Sequence, residues 1–168
     1  MTRHVTLATL GLALIAGCMP AAPATGSAAD EKAMNGVVTA YATAWNAGDA
    51  KALAATVAED YRSVDMMGAH VEGRAGMEKA AEAQFAMRPA GQTIAINTVY
   101  TKWFSGTAAA SGGTWTVTGP AGPLPNSGSW AATWTKVGSQ WLVATNLAAF
   151  AVAMPAAPMA SDTARVSK

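Results

Sequence analysis

Apolar and polar positions in the first half of the chain recur with the period of α-helices. The first predicted helix spans about Glu31–Asn46, and its apolar stripe consists of Met34, Val37, Val38, Tyr41 and Trp45. Gly48 ends this helix, and Asp49 can cap a short second helix that continues through about Ala58. The third predicted helix spans about Gly73–Met87, with inward positions at Met77, Ala80, Ala81, Gln84 and Phe85.

The remaining pattern predicts strands. The first strand is predicted at Tyr61–Met66, and a loop is predicted over Gly68–Gly73. Four longer strands rich in Thr, Val, Ile and Trp are predicted at Thr93–Phe104, Thr107–Thr118, Ser129–Val137 and Gln140–Phe150. Short hairpins join most of them, and Gly119–Gly128 forms a longer loop. The order of elements predicts an α+β fold in which three N-terminal helices pack on a curved, mainly antiparallel sheet.

The start of the chain has the pattern of an exported protein. A short basic start precedes an apolar run over Val5–Ala16, which is too short to span a membrane. Leu14–Cys18 resembles a bacterial lipobox, and Cys18 is the only cysteine of the chain. We therefore predict a lipoprotein signal peptide over residues 1–17 and acylation of Cys18 as a membrane anchor, with an ordinary signal peptide as the alternative. Because Met19 is not aspartate, the resemblance points to the outer membrane, facing the periplasm.

The predicted organisation of the mature chain follows from composition. Residues 18–30 contain prolines, glycine and alanines without an apolar period, which predicts a flexible tether. Residues 31–152 are predicted to form the folded domain. Residues 153–168 are predicted to form a disordered tail.

Charge is low and unevenly distributed. Eleven Lys and Arg residues face ten Asp and Glu residues, and this balance argues against nucleic-acid binding. No Asp or Glu lies between Glu82 and Asp162, so the four later strands carry no carboxylate. Metal binding needs several convergent ligands, and the mature chain has one histidine, so we expect neither a metal site nor a cofactor.

Several short segments resemble a known family. They are Ala44–Asp49, Glu59–Tyr61, Gly68–Gly76 and Gln140–Val143. Together they look like the SnoaL-like branch of the nuclear transport factor 2-like superfamily, over roughly residues 31–152. The resemblance implies a cone-shaped domain whose sheet wraps a long helix, leaves a pocket at the open end and often mediates dimerisation. Relatives include isomerases, dehydratases, polyketide cyclases and non-enzymatic binders, so the fold does not select an activity.

Acid–base catalysis in such a pocket would need paired ionisable groups. Asp65 is the only carboxylate that we place in the pocket. Tyr61 or His70 could assist it, and the alternative function is therefore an isomerase or cyclase using Asp65 with one of these residues. The missing second carboxylate makes catalysis the less favoured interpretation.

Aromatic residues offer a binding surface instead. Trp130 and Trp134 have the same parity on one strand, with Ala132 between them, so they face the same side. Asn97, Thr145 and Asn146 could supply polar contacts. The predicted ligand-binding residues are Trp45, Tyr61, Asp65, Trp103, Trp115, Trp130, Trp134 and Asn146.

The favoured prediction is a lipid-anchored envelope protein without catalytic activity. Its small domain would hold an apolar or aromatic small molecule or dock a partner. Aromatic residues on the sheet could equally serve a homodimer, and the two uses compete for the same side chains.

Overall fold

The structure is a computed structural model that describes residues 26–151. The predicted signal peptide, Cys18, most of the predicted tether and the predicted tail lie outside the described residues. In the described part of the chain, no helix is long and apolar enough to cross a membrane.

Within residues 26–151, three helices and six strands form the fold. The helices are α1 (Ala28–Ala47), α2 (Ala50–Ala54) and α3 (Gly73–Met87). The strands are β1 (Val57–Val64), β2 (His70–Glu72), β3 (Thr93–Ser105), β4 (Ala108–Thr118), β5 (Ser127–Val137) and β6 (Gln140–Phe150). They form one sheet in the order β2-β1-β6-β5-β4-β3, in which only β1 and β6 are parallel. The predicted α+β fold, with helices packed on a curved and mainly antiparallel sheet, is confirmed.

Capping residues explain the ends of α1. The Ser27 hydroxyl accepts a hydrogen bond from the Asp30 N–H, and the Asp30 carboxylate accepts one from the Ser27 N–H. This reciprocal capping satisfies donors that have no partner within the helix, so α1 starts at Ala28 rather than at the predicted Glu31. Gly48 ends the helix in the left-handed conformation (φ 69°), as its position predicts.

Two predicted boundaries between α2 and α3 are wrong. The second helix ends at Ala54 rather than Ala58, because Val57 and Ala58 already belong to β1. That strand starts early through contact with distant β6, where the Val143 N–H donates to the Thr56 carbonyl at 3.1 Å. The loop predicted over Gly68–Gly73 contains β2, which pairs with the end of β1.

The helices cover the concave face of the sheet. At one end, Met34 packs with Ala109, Trp134 and Trp141. In the middle, Trp45 packs with Leu53 and Ala81 between the helices, and Tyr61 packs with Val57 and Val71 under α3. The space left between α1 and the sheet forms the candidate site.

Candidate functional site

An apolar cavity of about 130 Å³ lies between α1 and the concave face of the sheet. We call it the inner cavity. Its helical side carries Val37, Val38, Tyr41 and Trp45 from α1 and Gln84 from α3, together with Met66 from the β1–β2 turn. Its sheet side is lined by Val57, Tyr61, Ile94, Ile96, Trp115, Val117, Trp130, Ala132, Trp134, Val143, Asn146 and Ala148.

Strand periodicity places these side chains. Alternate residues of a strand face the same side of the sheet, and the parity predicted for β5 directs Trp130, Ala132 and Trp134 into the inner cavity. The same alternation places Ile94 and Ile96 on β3 and Trp115 and Val117 on β4 against the cavity. The wall is therefore a continuous apolar surface drawn from five strands.

Tyr61 and Asn146 provide polar groups on the β1–β6 side. Ser63 lies two residues after Tyr61 on β1 and is the register partner of Asn146 on β6. Burial raises the pKa of Tyr61, while the side chains of Ser63 and Asn146, which can hydrogen bond to its hydroxyl, partly lower it. Burial, followed by the nearby Tyr61, also raises the pKa of Tyr41 on the opposite wall. Both phenols are therefore neutral near physiological pH, and they can donate or accept a hydrogen bond.

The three indole groups on the sheet side differ in their hydrogen bonds. The Trp134 Nε1–H donates to the Ser111 hydroxyl at 2.6 Å, and the Trp130 Nε1–H donates to the Asn97 carbonyl at 3.3 Å. The Trp115 Nε1–H is buried and has no partner among residues 26–151. This edge of the Trp115 ring packs over Gly128, where a Cβ atom would come within 2.7 Å of Cε2, so the N–H is not exposed to the inner cavity.

A second cavity, of about 360 Å³, adjoins the inner cavity and is called the vestibule. Five residues line both spaces and form their common boundary: Trp45, Met66, Gln84, Trp115 and Val117. The far wall of the vestibule consists of the proline-rich β4–β5 loop over residues 119–126, the end of α3 and Phe150. Phe150 also contacts Trp115 edge to face, at 5.9 Å between ring centroids.

Arg88 is the only charged residue that lines the vestibule in the described part of the chain. Its guanidinium lies over the ring of Trp45 at 4.3 Å and near that of Phe85 at 4.8 Å. It also donates a hydrogen bond from Nη1 to the Trp45 carbonyl near the end of α1. These contacts fix a positive charge at the rim of an apolar space.

The prediction that Asp65 lies in the pocket is wrong. Asp65 follows β1 directly, is exposed, and does not line either cavity. Its carboxylate accepts hydrogen bonds from the N–H groups of Met67 and Ala69, both at 2.8 Å. It stabilises the turn into β2, as Asp side chains commonly do in tight turns.

The three candidate catalytic residues are not brought together. His70 is exposed on β2, opposite Val64, and Asp65 is held in the turn. Only Tyr61 faces the inner cavity. No carboxylate or imidazole of the described residues lines either cavity, so the proposed pairing of Asp65 with Tyr61 or His70 has no geometric basis. Residues 26–151 also contain no group of three or more His, Cys, Asp or Glu residues that could hold a metal ion.

Trp103 does not line either cavity. It packs against the cluster that contains Met34, Ala109 and Trp134. Its ring contacts Trp141 edge to face at 5.5 Å, and Trp141 donates from Nε1 to Asp30 at 2.8 Å. Lys136 donates to the same carboxylate at 2.7 Å. This closed end of the cone is a structural cluster, and the prediction that Trp103 lines the pocket is wrong.

The other predicted ligand-binding residues lie on the cavity wall: Trp45, Tyr61, Trp115, Trp130, Trp134 and Asn146. Their role in binding stays a prediction. Asn97 and Thr145 do not line either cavity; Thr145 hydrogen bonds to Thr133 at 2.8 Å between hydroxyl oxygens. Sequence reasoning missed Ile94, Ile96 and Val117, which strand parity alone could have indicated. It also missed Arg88, which no local pattern singles out.

Comparisons with known proteins agree on the fold. No curated protein matches the chain. A domain of unknown function with a cystatin-like fold from Nostoc punctiforme is similar, with 18% identity, a TM-score of 0.68, and coverage of 76% of this chain and 81% of that one. A nuclear transport factor 2-like protein of unknown function from Shewanella oneidensis has 16% identity and a TM-score of 0.62, covering 71% of this chain and 98% of its own.

A third similar structure is a nuclear transport factor 2-like protein with a cystatin-like fold from Novosphingobium aromaticivorans. It has 18% identity and a TM-score of 0.61, over 73% of this chain and 82% of that one. At these identities the likeness concerns the fold alone. A family model described as a SnoaL-like domain matches residues 38–143, which span α1 to β6 and include most of the cavity wall. The chain therefore belongs to the SnoaL-like domain family.

Proposed function

We propose that this protein binds a small apolar or aromatic molecule in the inner cavity and performs no chemistry on it. The observation that carries the proposal is the apolar cavity of about 130 Å³ itself, whose wall is built by α1 and five strands. An apolar cavity of about 150 Å³ accommodates benzene, so the inner cavity suits a single aromatic ring. The adjoining vestibule provides room for a substituent.

The direct test has two parts. Native mass spectrometry of the purified protein should reveal a retained small molecule. Thermal unfolding with acetophenone, which has a ring and a hydrogen-bond acceptor, should show a higher unfolding temperature than without it, because a ligand that binds only the folded state stabilises that state. Absence of both a retained molecule and a stabilising effect from any small aromatic compound would refute the proposal.

The proposed cellular context is the bacterial envelope. The lipobox-like stretch Leu14–Cys18 supports acylation of Cys18 and anchoring in the outer membrane, with the domain facing the periplasm. A Cys18→Ser variant should leave the membrane fraction and label no longer with a radioactive fatty acid. A variant that remains in the membrane fraction would contradict the anchor without affecting the binding proposal.

We also propose a homodimer through the convex face of the sheet. Val64, Leu147, Ala131, Gly112 and Tyr100 are register partners in sequence across β1, β6, β5, β4 and β3. Leu147 is 56% exposed and Tyr100 is 54% exposed, so the row presents large apolar side chains side by side on the surface. This apolar row lies on the opposite face from the cavity, so dimerisation and ligand binding use different residues.

A further inference from the structure

Arg88 differs from the other arginines of residues 26–151. Arg62 pairs with Glu72, and Arg74 pairs with Glu59. Arg88 has no carboxylate within salt-bridge distance in that part of the chain, although it is half-buried. The carbonyl end of α1 compensates part of this positive charge, and the exposed part of the guanidinium remains free to pair with an anion.

Part of the guanidinium has a structural role, but most of its donors are not used. The hydrogen bond to the Trp45 carbonyl is its only one to a described residue, whereas arginine has five N–H donors. The rings of Trp45 and Phe85 contact the guanidinium and restrict its orientation. Such a held, planar group matches the two oxygens of a carboxylate.

The position of Arg88 defines which kind of ligand could use it. Trp45 lines both the inner cavity and the vestibule, and the guanidinium of Arg88 lies against its ring. The positive charge is therefore next to the apolar wall that the two cavities share. No described acidic residue lines either cavity to compete for Arg88 or to repel an anion. An apolar group and a carboxylate joined by a short linker would therefore meet complementary surfaces.

We propose that the ligand is a small aromatic carboxylate whose ring lies in the inner cavity and whose carboxylate pairs with Arg88. This assignment rests on the proposed binding function. The remaining polar residues of the vestibule, such as Gln84 and Gln92, are uncharged and leave Arg88 as the group that selects charge. A neutral amide of the same shape would fill the cavity without making the ion pair.

Isothermal titration calorimetry with phenylpropionate and phenylpropionamide tests this assignment. At low salt and near neutral pH, the wild-type protein should bind the acid about tenfold more tightly than the amide, because hydrogen bonds to charged groups are stronger than neutral ones. High salt should reduce this preference through screening. Arg88→Gln should remove the preference while retaining amide binding, and Arg62→Gln, an exposed arginine paired with Glu72, should keep it.

The outcomes separate the two proposals. If the amide binds as tightly as the acid in the wild-type protein, the carboxylate assignment is overturned and the binding function stands. If neither compound nor any neutral aromatic binds, the binding function fails and the assignment fails with it. Should Arg88→Gln unfold because the contact with the Trp45 carbonyl is lost, the wild-type preference and its salt dependence still decide the question.

Discussion

At the scale of single residues, Trp115 is the clearest candidate for direct contact with a ligand. Trp115 lines both cavities, and we expect Trp115→Phe to weaken binding of acetophenone and of ethylbenzene alike, because the smaller ring removes apolar contact surface from the cavity wall. Calorimetric titration of both compounds measures the difference.

The matched control is Trp103→Phe, which changes the same side-chain type at the closed end of the cone. It should leave both affinities unchanged. If Trp115→Phe leaves both affinities unchanged, the ligand does not contact Trp115.

Asp30 predicts a pH-dependent stability. The hydrogen bond from Lys136, followed by those from Ser27 and Trp141, holds the pKa of the Asp30 carboxyl well below its usual range. A group whose pKa is lowered by folding stabilises the protein above its unfolded-state pKa, about 3.9 for aspartate, and this contribution is lost as pH falls through the folded-state value. Asp30→Asn should therefore lower the unfolding temperature near neutral pH, and the difference from wild type should shrink below about pH 4.

Glu31→Gln provides the comparison for Asp30, because Glu31 is an exposed acid in the same helical turn. Its effect on the unfolding temperature should be small at every pH. A difference between Asp30→Asn and wild type that stays constant into acid would show that the contacts of Asp30 do not depend on its charge.

The sequence predicts the direction of a side chain correctly where the alternation along a strand determines it. It fails where a turn determines it. The inward direction of Trp130 and Trp134 follows from their spacing on β5, whatever the strand pairs with. Asp65 has the same parity as Tyr61, but it lies past the last residue of β1, where the turn N–H groups capture its carboxylate. Arg88 could not be recognised because its significance depends on α1 and α3 meeting in space.

At the scale of elements, long segments with a clear period were predicted well and short ones were not. The hairpin β3–β4 and the strands β5 and β6 match their predicted ranges closely, since each has many Thr, Val and Trp residues between turn signals. The strand β2 has three residues, too few to show a period, and exists because it pairs with β1. The early start of β1 likewise depends on the pairing of Val57 with Val143.

A single substitution on β6 can fill part of the inner cavity. Ala148 lines the inner cavity as the register partner of Trp130, and its neighbour Ala149 is exposed on the other face. Ala148→Leu should fill part of the cavity and weaken binding of acetophenone by about tenfold or more, while the unfolding temperature changes little because the added atoms occupy open cavity space. Thermal unfolding with and without the ligand measures both quantities.

Ala149→Leu is the control for Ala148→Leu, since it adds the same side chain to the same strand on the opposite face. It should leave ligand stabilisation intact. Equal binding by wild type and Ala148→Leu would mean that the ligand does not enter the inner cavity.

At the scale of the whole molecule, sheet curvature gives the two faces different roles. The concave face encloses the cavity with α1 across it, and the convex face carries the apolar row from Val64 to Tyr100. The alternation of residues predicts two faces, but it does not predict the parallel pairing of β1 with β6, which places β1 inside the sheet. That arrangement brings Tyr61 beside Asn146 and extends the convex row to a fifth strand.

The convex row makes a prediction about the assembled protein. In the row, the Tyr100 ring lies across Gly112, where a Cβ atom would come within 2.6 Å of the tyrosine hydroxyl, so the missing side chain at Gly112 leaves room for this ring. Two such surfaces can pair about a twofold axis, because the same patch then meets itself.

Sedimentation velocity over a range of concentrations should show a dimer for the wild-type protein and a monomer for Leu147→Lys, since the twofold axis would bring the two lysine charges close together. Val137→Lys places the same charge at a similarly exposed apolar residue (59%) off the row, at the end of β5, and should remain dimeric. This interface would be ruled out if the wild-type protein were monomeric at every concentration, or if Leu147→Lys still dimerised. All three proteins should bind acetophenone equally well, because the row and the inner cavity share no residue.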